Sequence, residues 1–274
     1  MITRFAPSPT GPLHLGHAWA AMVAWRHGPP TLLRIEDIDQ SRARPEWDTA
    51  LRDDLRWLGF DWPEPVMRQS DRMATYGRAL DRLWADGVLY PCTCNRRDIL
   101  EAASAPQEGT PLLGPDGVIY PGTCRAASRA GARPEAAALR LDAGAVGDLN
   151  WTDGGIPRSM TGSGFHDLIG DPVLARRDMG TSYHLSVVID DAEQGIDLVT
   201  RGEDLADATP IHVAIQQLLD LPTPAYLHHD LVRDASGKRL AKRDDARSIA
   251  SYRRAGWSAA ALTAHLRRSR IAPD

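Results

Sequence analysis

The alternation of apolar runs and breaker residues in the first 35 positions predicts a strand, a loop, a helix and a second strand. Residues 2–5 have the composition of a short strand, which enters a loop rich in proline and glycine. An alanine-rich helix is predicted over residues 15–26, and residues 31–35 form a second apolar strand. This order and spacing matches the size of a βαβ unit, so the sequence predicts an α/β fold.

Helical periodicity continues in the next stretch of the chain. Pro45 suits a first helical position, and apolar residues recur at helical spacing after it. A further helix is predicted over residues 71–86, with Gly87 as its stop. Residues 104–136, in contrast, are rich in glycine, proline, alanine and serine and show little periodicity. They predict an insertion made of loops.

Regular structure is predicted again in the second half of the chain. Thr209 is predicted as the N-cap of a helix whose first turn contains Pro210. The other predicted elements are strands at 138–141 and 197–201 and short helices around 249–255 and 258–268.

Composition narrows the class of protein. The 274 residues include 43% hydrophobic and 25% charged residues, as in ordinary globular proteins, and the net charge of −4 gives no support for nucleic-acid binding by the chain as a whole. Any basic surface is therefore local. Residues 5–25 contain no charged side chain, but Pro7, Pro9 and Pro12 argue against a membrane span. Three cysteines without an export signal predict a cytoplasmic protein, with a monomer as the default expectation.

The first candidate for chemistry is the run from Arg4 to His17, RFAPSPTGPLHLGH. His14 and His17 lie at a predicted helix start just after a strand, where ligands bind in open α/β sheets. Free N–H groups at a helix start attract phosphate, imidazole N–H groups can steady it, and Gly16 makes room for a base. The alternative for this motif alone is a proline-rich turn in which histidines cap a helix.

The whole run resembles the signature of the class I glutamyl-tRNA synthetases, in which HLGH stands for the "HIGH" motif. The hexapeptide RIEDID at 34–39 and the sequence GKRLAKR at 237–243, similar to the "KMSKS" loop, follow in the family's order. The resemblance extends through Tyr183, the RGED sequence at 201–204 and the SYR sequence at 251–253. It implies the Rossmann-like parallel sheet of this class in two halves, residues 1–88 and 181–274. An inserted zinc-containing subdomain over residues 89–180 separates the halves, and short helices end the chain.

The resemblance also assigns the ATP site. His14, Gly16 and His17 would hold the nucleotide together with the basic loop that contains Arg239 and Lys242. That loop departs from the family pattern, because arginine replaces its first lysine and Ala241 its serine. We therefore expect Lys242 to be the essential catalytic cation beside the two histidines, with Arg239 secondary. The resemblance implies that ATP is a substrate and that it binds together with Mg²⁺.

The glutamate site follows from charge and from the same resemblance. Arginine holds a carboxylate in a bidentate fork, and Arg4 and Arg201 both stand near predicted strand ends. Glu36 is predicted to face the substrate ammonium group, and Tyr183 to shape the pocket. The resemblance adds Ser8 to this site, and the predicted contacts also include Phe5, Ala6 and Pro7.

Three cysteines form a second constellation, with Cys92 and Cys94 two positions apart and Cys124 further on. On chemistry alone, a zinc site and three buried free thiols are about equally expected. The sequence YPGTCR at 120–125 resembles the zinc site of one branch of the family, the glutamyl-queuosine tRNA(Asp) synthetases. That branch implies one structural Zn²⁺ bound by the three cysteines and the Tyr120 oxygen.

The branch also implies a different RNA target. The chain ends about thirty residues after the basic loop, so no anticodon-binding domain of the usual helical kind is expected. The resemblance implies that glutamate is activated with ATP and esterified to the queuosine base in the anticodon of tRNA(Asp). The alternatives are a truncated glutamyl-tRNA synthetase that charges a tRNA 3′ end, a non-catalytic paralogue, and a small-molecule nucleotidylyltransferase.

Overall fold

The computed structural model describes residues 1–28, 30–103, 113–234, 237–238, 240 and 247–273. Its strands are β1 (Thr3–Phe5), β2 (Thr31–Ile35), β3 (Met67–Arg68), β4 (Leu89–Cys92), β5 (Leu113–Gly114), β6 (Gly117–Val118), β7 (Ala138–Leu141), β8 (Leu149–Asp153), β9 (Ile156–Met160), β10 (Val173–Ala175), β11 (Leu198–Gly202) and β12 (Ala225–His229). Its helices are α1 (Leu15–His27), α2 (Pro45–Trp57), α3 (Met73–Ala85), α4 (Arg96–Ala103), α5 (Gly162–Leu168), α6 (Tyr183–Glu193), α7 (Thr209–Leu218), α8 (Ile249–Arg254) and α9 (Ala259–Arg268).

The chain forms two compact units, and the first contains residues 1–71, 195–204 and 225–274. Its five strands pair in parallel in the order β3-β2-β1-β11-β12. Strand β1, helix α1 and strand β2 are the predicted βαβ unit, so the expectation of a mainly parallel α/β sheet is confirmed. The three-part division at residues 88/89 and 180/181 stays a prediction.

Helical spacing explains the core of this first unit. Along α1, Leu15, Ala18 and Met22 recur on one side and are buried. Leu51 and Leu55 of α2 belong to the same hydrophobic cluster. The two C-terminal helices close the cluster with their own buried side chains, Ile249, Tyr252, Leu262 and Leu266. Burial of each large side chain stabilises the fold by about 1.5–3 kcal/mol.

One carboxylate on the buried side of α2 opposes this stabilisation at neutral pH. Asp54 is only 6% exposed, and burial raises its pKa to about 6; Arg253 offsets part of this rise, and Asp53 adds to it. An unfolded aspartate titrates near pH 3.9. The folded state therefore binds the proton more tightly, and stability falls as the pH rises from about 4 to about 6.

We expect Asp54→Asn to increase the free energy of unfolding by up to about 3 kcal/mol at pH 8 and to leave it almost unchanged at pH 4. The reason is that asparagine has a similar shape and no charge to desolvate. Denaturant unfolding at both pH values measures this. Asp53→Asn on the exposed side is the matched control. Equal destabilisation by Asp54→Asn at both pH values would contradict the prediction.

The second unit contains residues 72–194 and 205–224. A three-stranded antiparallel sheet in the order β10-β7-β4 lies within it, together with the hairpins β5–β6 and β8–β9. Buried Asp190 of α6 accepts hydrogen bonds from the Tyr76 hydroxyl at 3.0 and 2.9 Å and from Arg72 Nε at 2.7 Å. These bonds join α6 to α3 and its preceding turn.

Most predicted boundaries agree with the structure to within two residues. Helix α2 begins at Pro45, and Gly87, in a left-handed conformation with φ of 72°, follows the end of α3. The N-cap prediction for α7 is wrong: Ala208 is the N-cap, Thr209 is already helical, and no side chain caps this end. The predicted loop insertion contains the short hairpin β5–β6 among its described residues.

Within the described parts of the chain, every helix is too short or too polar to cross a lipid bilayer.

Candidate active site

The carboxyl ends of three neighbouring parallel strands bring together two arginines and a glutamate. Arg4 lies in β1, Arg201 lies in the adjacent strand β11, and Glu36 directly follows β2 on the other side of β1. In parallel α/β sheets this edge is where ligands bind. The sheet order, which the sequence does not state, makes these three residues neighbours in the first unit.

Both arginines are buried, at 6% exposure each. One guanidinium nitrogen of Arg4 donates to the Thr200 carbonyl at 3.1 Å. The Arg201 Nε donates to His228 Nε2 at 3.0 Å, and its guanidinium lies 5.3 Å from the centre of the Tyr226 ring. Each guanidinium is therefore oriented by a neighbouring strand, Arg4 by β11 and Arg201 by β12.

Glu36 is held from two directions. Its backbone N–H donates to the Pro7 carbonyl at 3.1 Å, which joins the loop after β1 to the end of β2. Its carboxylate lies 3.1 Å from the guanidinium of fully buried Arg34. In the same loop, Phe5 and Pro7 are buried, Ala6 is half-buried and Ser8 is exposed. These two contacts fix the backbone and the carboxylate of Glu36 directly after β2, and its contact with a substrate ammonium group stays a prediction.

Two residues of the hexapeptide support this edge and were not assigned a role from the sequence. Arg34 orients Glu36, and buried Asp37 accepts from the backbone N–H and hydroxyl of Ser70, each at 2.8 Å. Arg68 also donates to Asp37 at 2.8 Å. The charged residues of RIEDID, at the end of a buried strand and directly after it, were the available signal.

His14 and His17 form a reciprocal cap at the start of α1. The Gly16 N–H donates to His14 Nδ1 at 3.1 Å, and the His14 N–H donates to His17 Nδ1 at 3.1 Å. The two ring centroids are 3.9 Å apart. Because each Nδ1 accepts a bond from the backbone, the neutral tautomer of each ring has its proton on Nε2. Both rings lie at the N-terminus of α1, a position that suits a phosphate group, and their contact with ATP stays a prediction.

Gly16 is required by the packing of His14. A Cβ at this position would lie 2.9 Å from Cε1 and 3.0 Å from Nδ1 of the His14 ring. The missing side chain therefore admits the imidazole, and the contact between Gly16 and a nucleotide base stays a prediction.

The remaining predicted ligands of substrate lie elsewhere or outside the described residues. Tyr183 is the first residue of α6 in the second unit, and Ser182 caps this helix by accepting from the Leu185 N–H. Arg239 and Lys242, the two cations of the KMSKS-like loop, fall outside the described residues. Their roles stay predictions.

The three cysteines and Tyr120 converge in the second unit. The sulfur atoms of Cys92, Cys94 and Cys124 all lie within 4.8 Å of one another. The Tyr120 hydroxyl oxygen is 3.5 Å from Cys92 Sγ and 3.4 Å from Cys94 Sγ, and Cys94 Sγ is 3.5 Å from Cys124 Sγ. Tetrahedral zinc with Zn–S bonds of about 2.3 Å separates its sulfur ligands by about 3.8 Å. The four donor atoms therefore have the spacing of a structural zinc site.

The acidities of these groups differ before a metal binds. Burial raises the pKa of the Cys124 thiol, but hydrogen bonds with Tyr120 and Thr93 outweigh this effect and bring the pKa to about 6. Burial raises the pKa of Cys94, and burial together with hydrogen bonds to the cysteines raises that of Tyr120. One thiolate forms readily at neutral pH, and a divalent cation would release the protons of the other ligands.

The family of the chain is shown by comparison with known proteins. The family described as "tRNA synthetases class I (E and Q), catalytic domain" matches residues 1–274. The chain therefore belongs to the class I tRNA synthetases of the glutamate and glutamine type, a family of ligases.

Two curated relatives refine this similarity. The chain is 57% identical to a glutamyl-Q tRNA(Asp) synthetase of Rhodobacter capsulatus, over 95% of this chain and 97% of the relative. It is 41% identical to the protein of the same name from Nitratidesulfovibrio vulgaris, over 96% of this chain and 84% of the relative.

Solved structures show the same fold. A glutamate tRNA ligase of Elizabethkingia meningosepticum, solved in complex with its amino acid, superposes with a TM-score of 0.70 at 25% identity. The match covers 89% of this chain and 52% of that ligase. A glutamate-tRNA synthetase of Elizabethkingia anophelis superposes with a TM-score of 0.71, and 53% of it is covered. The chain thus spans about half the length of these solved enzymes.

Proposed function

We propose that this chain activates L-glutamate with ATP and transfers it to the queuosine base in the anticodon of tRNA(Asp). The observation that carries the proposal is the carboxyl edge of the parallel sheet, where Glu36 directly follows β2 and Arg4 and Arg201 lie in the next two strands, β1 and β11. Its charges are complementary to an amino acid with an acidic side chain. The similarity to two proteins named glutamyl-Q tRNA(Asp) synthetase supports the particular acceptor.

In the first step, an oxygen of the glutamate α-carboxylate attacks the α-phosphorus of ATP, and the bond to pyrophosphate breaks. The Arg4 and Arg201 guanidinium groups bind the side-chain carboxylate, and Glu36 accepts from the ammonium group. The Nε2–H groups of His14 and His17, with Lys242, offset charge that develops on the phosphate oxygens. Mg²⁺ enters with ATP and shields the phosphates. Much of the rate enhancement comes from positioning.

In the second step, a hydroxyl of the queuosine cyclopentene diol attacks the activated carbonyl, and AMP leaves. The anticodon loop suits this role because its unstacked bases can be splayed into a pocket. A basic segment is available for the RNA backbone: residues 247–273 contain six arginines and no aspartate or glutamate. Four of these arginines, in α8 and α9, are exposed: Arg253, Arg254, Arg267 and Arg268. Exposed arginines in an otherwise acidic chain favour phosphate contacts.

Labelled glutamate tests the acceptor directly. The enzyme is incubated with ATP, labelled glutamate and one of three RNAs: tRNA(Asp) with queuosine, tRNA(Asp) without queuosine, and tRNA(Glu). We expect label only on the first, and nuclease digestion should locate it on the anticodon nucleotide. Label on the 3′-terminal adenosine of tRNA(Glu) would identify a truncated glutamyl-tRNA synthetase instead. No label on any RNA and no ATP–pyrophosphate exchange would indicate a non-catalytic paralogue.

A further inference from the structure

One buried carboxylate in the second unit reaches both chain segments that contain the predicted zinc ligands. Cys92 ends β4 and Cys94 follows it, whereas Tyr120 and Cys124 lie after β6. The carboxylate belongs to Asp171, which precedes β10 and has a fully buried side chain. A charge at such a depth is costly unless it is paired and hydrogen-bonded, so its partners indicate what it stabilises.

The Asp171 carboxylate accepts hydrogen bonds from one residue beside each pair of ligands. The Tyr90 hydroxyl donates to Oδ2 from β4, two positions before Cys92. Arg125, directly after Cys124, donates to the same oxygen from Nε at 3.0 Å and from a terminal guanidinium nitrogen at 2.8 Å. The two ligand segments are thus joined through a single carboxylate oxygen.

The other polar atoms of Asp171 are fixed as well. Its Oδ1 accepts from the Ala143 N–H at 2.9 Å, and its backbone carbonyl accepts from an Arg140 guanidinium nitrogen at 2.7 Å. Arg140 lies in β7 directly opposite Tyr90 of β4, and its guanidinium lies 3.8 Å from the centre of the Tyr120 ring. Asp171 is therefore anchored on one side and holds the ligand segments on the other, through charge-assisted bonds that are strong away from water.

We infer that Asp171 is a positioning residue that holds the two ligand segments at the spacing of a zinc site before the metal binds. The inference rests on the predicted zinc site and is independent of the reaction proposed above. A metal ion that meets preorganised ligands loses less free energy to ordering of the chain. Loss of a residue that orients metal ligands without binding the metal typically weakens metal affinity by about 10- to 100-fold.

Competition for zinc between the full chain and a chromogenic chelator tests the inference. We expect Asp171→Asn to weaken zinc affinity by about 10- to 100-fold, because the amide keeps the shape but loses the charge that binds Arg125. Tyr90→Phe keeps the ring and removes one hydroxyl, so it preserves the test if Asp171→Asn does not fold. It should weaken zinc affinity by about tenfold, the factor that corresponds to one hydrogen bond to a charged group.

The matched control is Asp190→Asn, which changes a second fully buried carboxylate of the same unit. Asp190 also accepts from a tyrosine hydroxyl and an arginine, Tyr76 at 3.0 and 2.9 Å and Arg72 at 2.7 Å. Like Asp171→Asn, this variant should lower the melting temperature, because both leave buried partners of a carboxylate without its charge. Its zinc affinity should stay that of the wild type.

A connection between the two segments also predicts non-additive effects. Tyr90→Phe and Arg125→Ala each release one segment from Asp171, so the double variant should bind zinc no more weakly than the weaker single variant. Two independent contacts would instead multiply their losses of affinity. Cobalt(II) adds a spectroscopic readout: at saturation, the visible spectrum of Asp171→Asn should match that of the wild type, since Asp171 supplies no donor atom to the metal.

The outcomes separate this inference from the metal site and from the reaction. A wild-type chain that binds no zinc overturns the metal site, and the inference with it. If the wild type binds zinc, wild-type affinity in Asp171→Asn or Tyr90→Phe overturns the role of Asp171 alone, as does an equal loss of affinity in Asp190→Asn. Multiplied losses in the double variant, or an altered cobalt spectrum, overturn it as well. A chain that binds zinc but activates no glutamate overturns only the proposed function.

Discussion

Arg201→Ala is expected to lower the efficiency of glutamate-dependent ATP–pyrophosphate exchange by a factor between about one hundred and several thousand, because loss of one partner from a buried charge pair costs about 3–5 kcal/mol. The side chain is 6% exposed and already oriented by His228 at 3.0 Å. Its removal would leave the substrate carboxylate desolvated beside a single remaining cation. Initial rates at varied glutamate and ATP concentrations measure the effect.

Three further variants make this result specific. Arg4→Ala should cause a similar loss, since Arg4 occupies the neighbouring strand. Arg201→Lys should be intermediate because an ammonium group keeps the charge without the bidentate fork. Arg158 is exposed in β9, and Arg158→Ala should leave the exchange rate unchanged. Unchanged exchange in Arg201→Ala would remove this residue from the glutamate site, and a collapsed circular-dichroism spectrum would show a folding defect instead.

Removal of zinc is expected to have the largest effect on stability. Structural zinc sites contribute about 10–16 kcal/mol of apparent binding free energy in small domains, and this energy acts as folding energy. The fit of Cys92, Cys94, Cys124 and Tyr120 to a tetrahedral site predicts one zinc per chain. Metal analysis of protein purified without chelator, followed by thermal unfolding with and without a strong chelator, tests both statements. The chelator should unfold the insertion first.

Two substitutions separate the sulfur ligands from the oxygen ligand. Cys124→Ser should release zinc and imitate the chelator, whereas Tyr120→Phe keeps the ring and removes only the oxygen. The Arg140 guanidinium lies 3.8 Å from the centre of the Tyr120 ring, so the ring should stay in place in Tyr120→Phe. A weaker but measurable zinc affinity is therefore expected for this variant. Wild-type protein that is purified without chelator and contains no zinc would exclude the site.

Local sequence patterns were sufficient to predict the strands and helices around the candidate site. Strands β1 and β2 and helix α1 follow from apolar runs and from a proline-rich loop, and α2 begins at the proline that predicted it. Helix α6 was missed because eight of its eleven residues are buried, so it has no polar face to produce a helical period. Hairpin β8–β9 was also missed, although Gly154 and Gly155 form the two-residue turn typical of a hairpin.

The sequence by itself determined the chemical inventory: two histidines at a helix start, charged residues after apolar strands, and three cysteines with a nearby tyrosine. Only the tertiary structure decided which of these side chains meet. The parallel order β2-β1-β11 makes Arg201 a neighbour of Arg4 despite nearly 200 intervening residues, and hydrogen bonds of His184 with His212 and with Asp116 join residues from three separate elements. Local propensity cannot encode such contacts, because they arise from strand pairing and core packing between segments far apart in the chain.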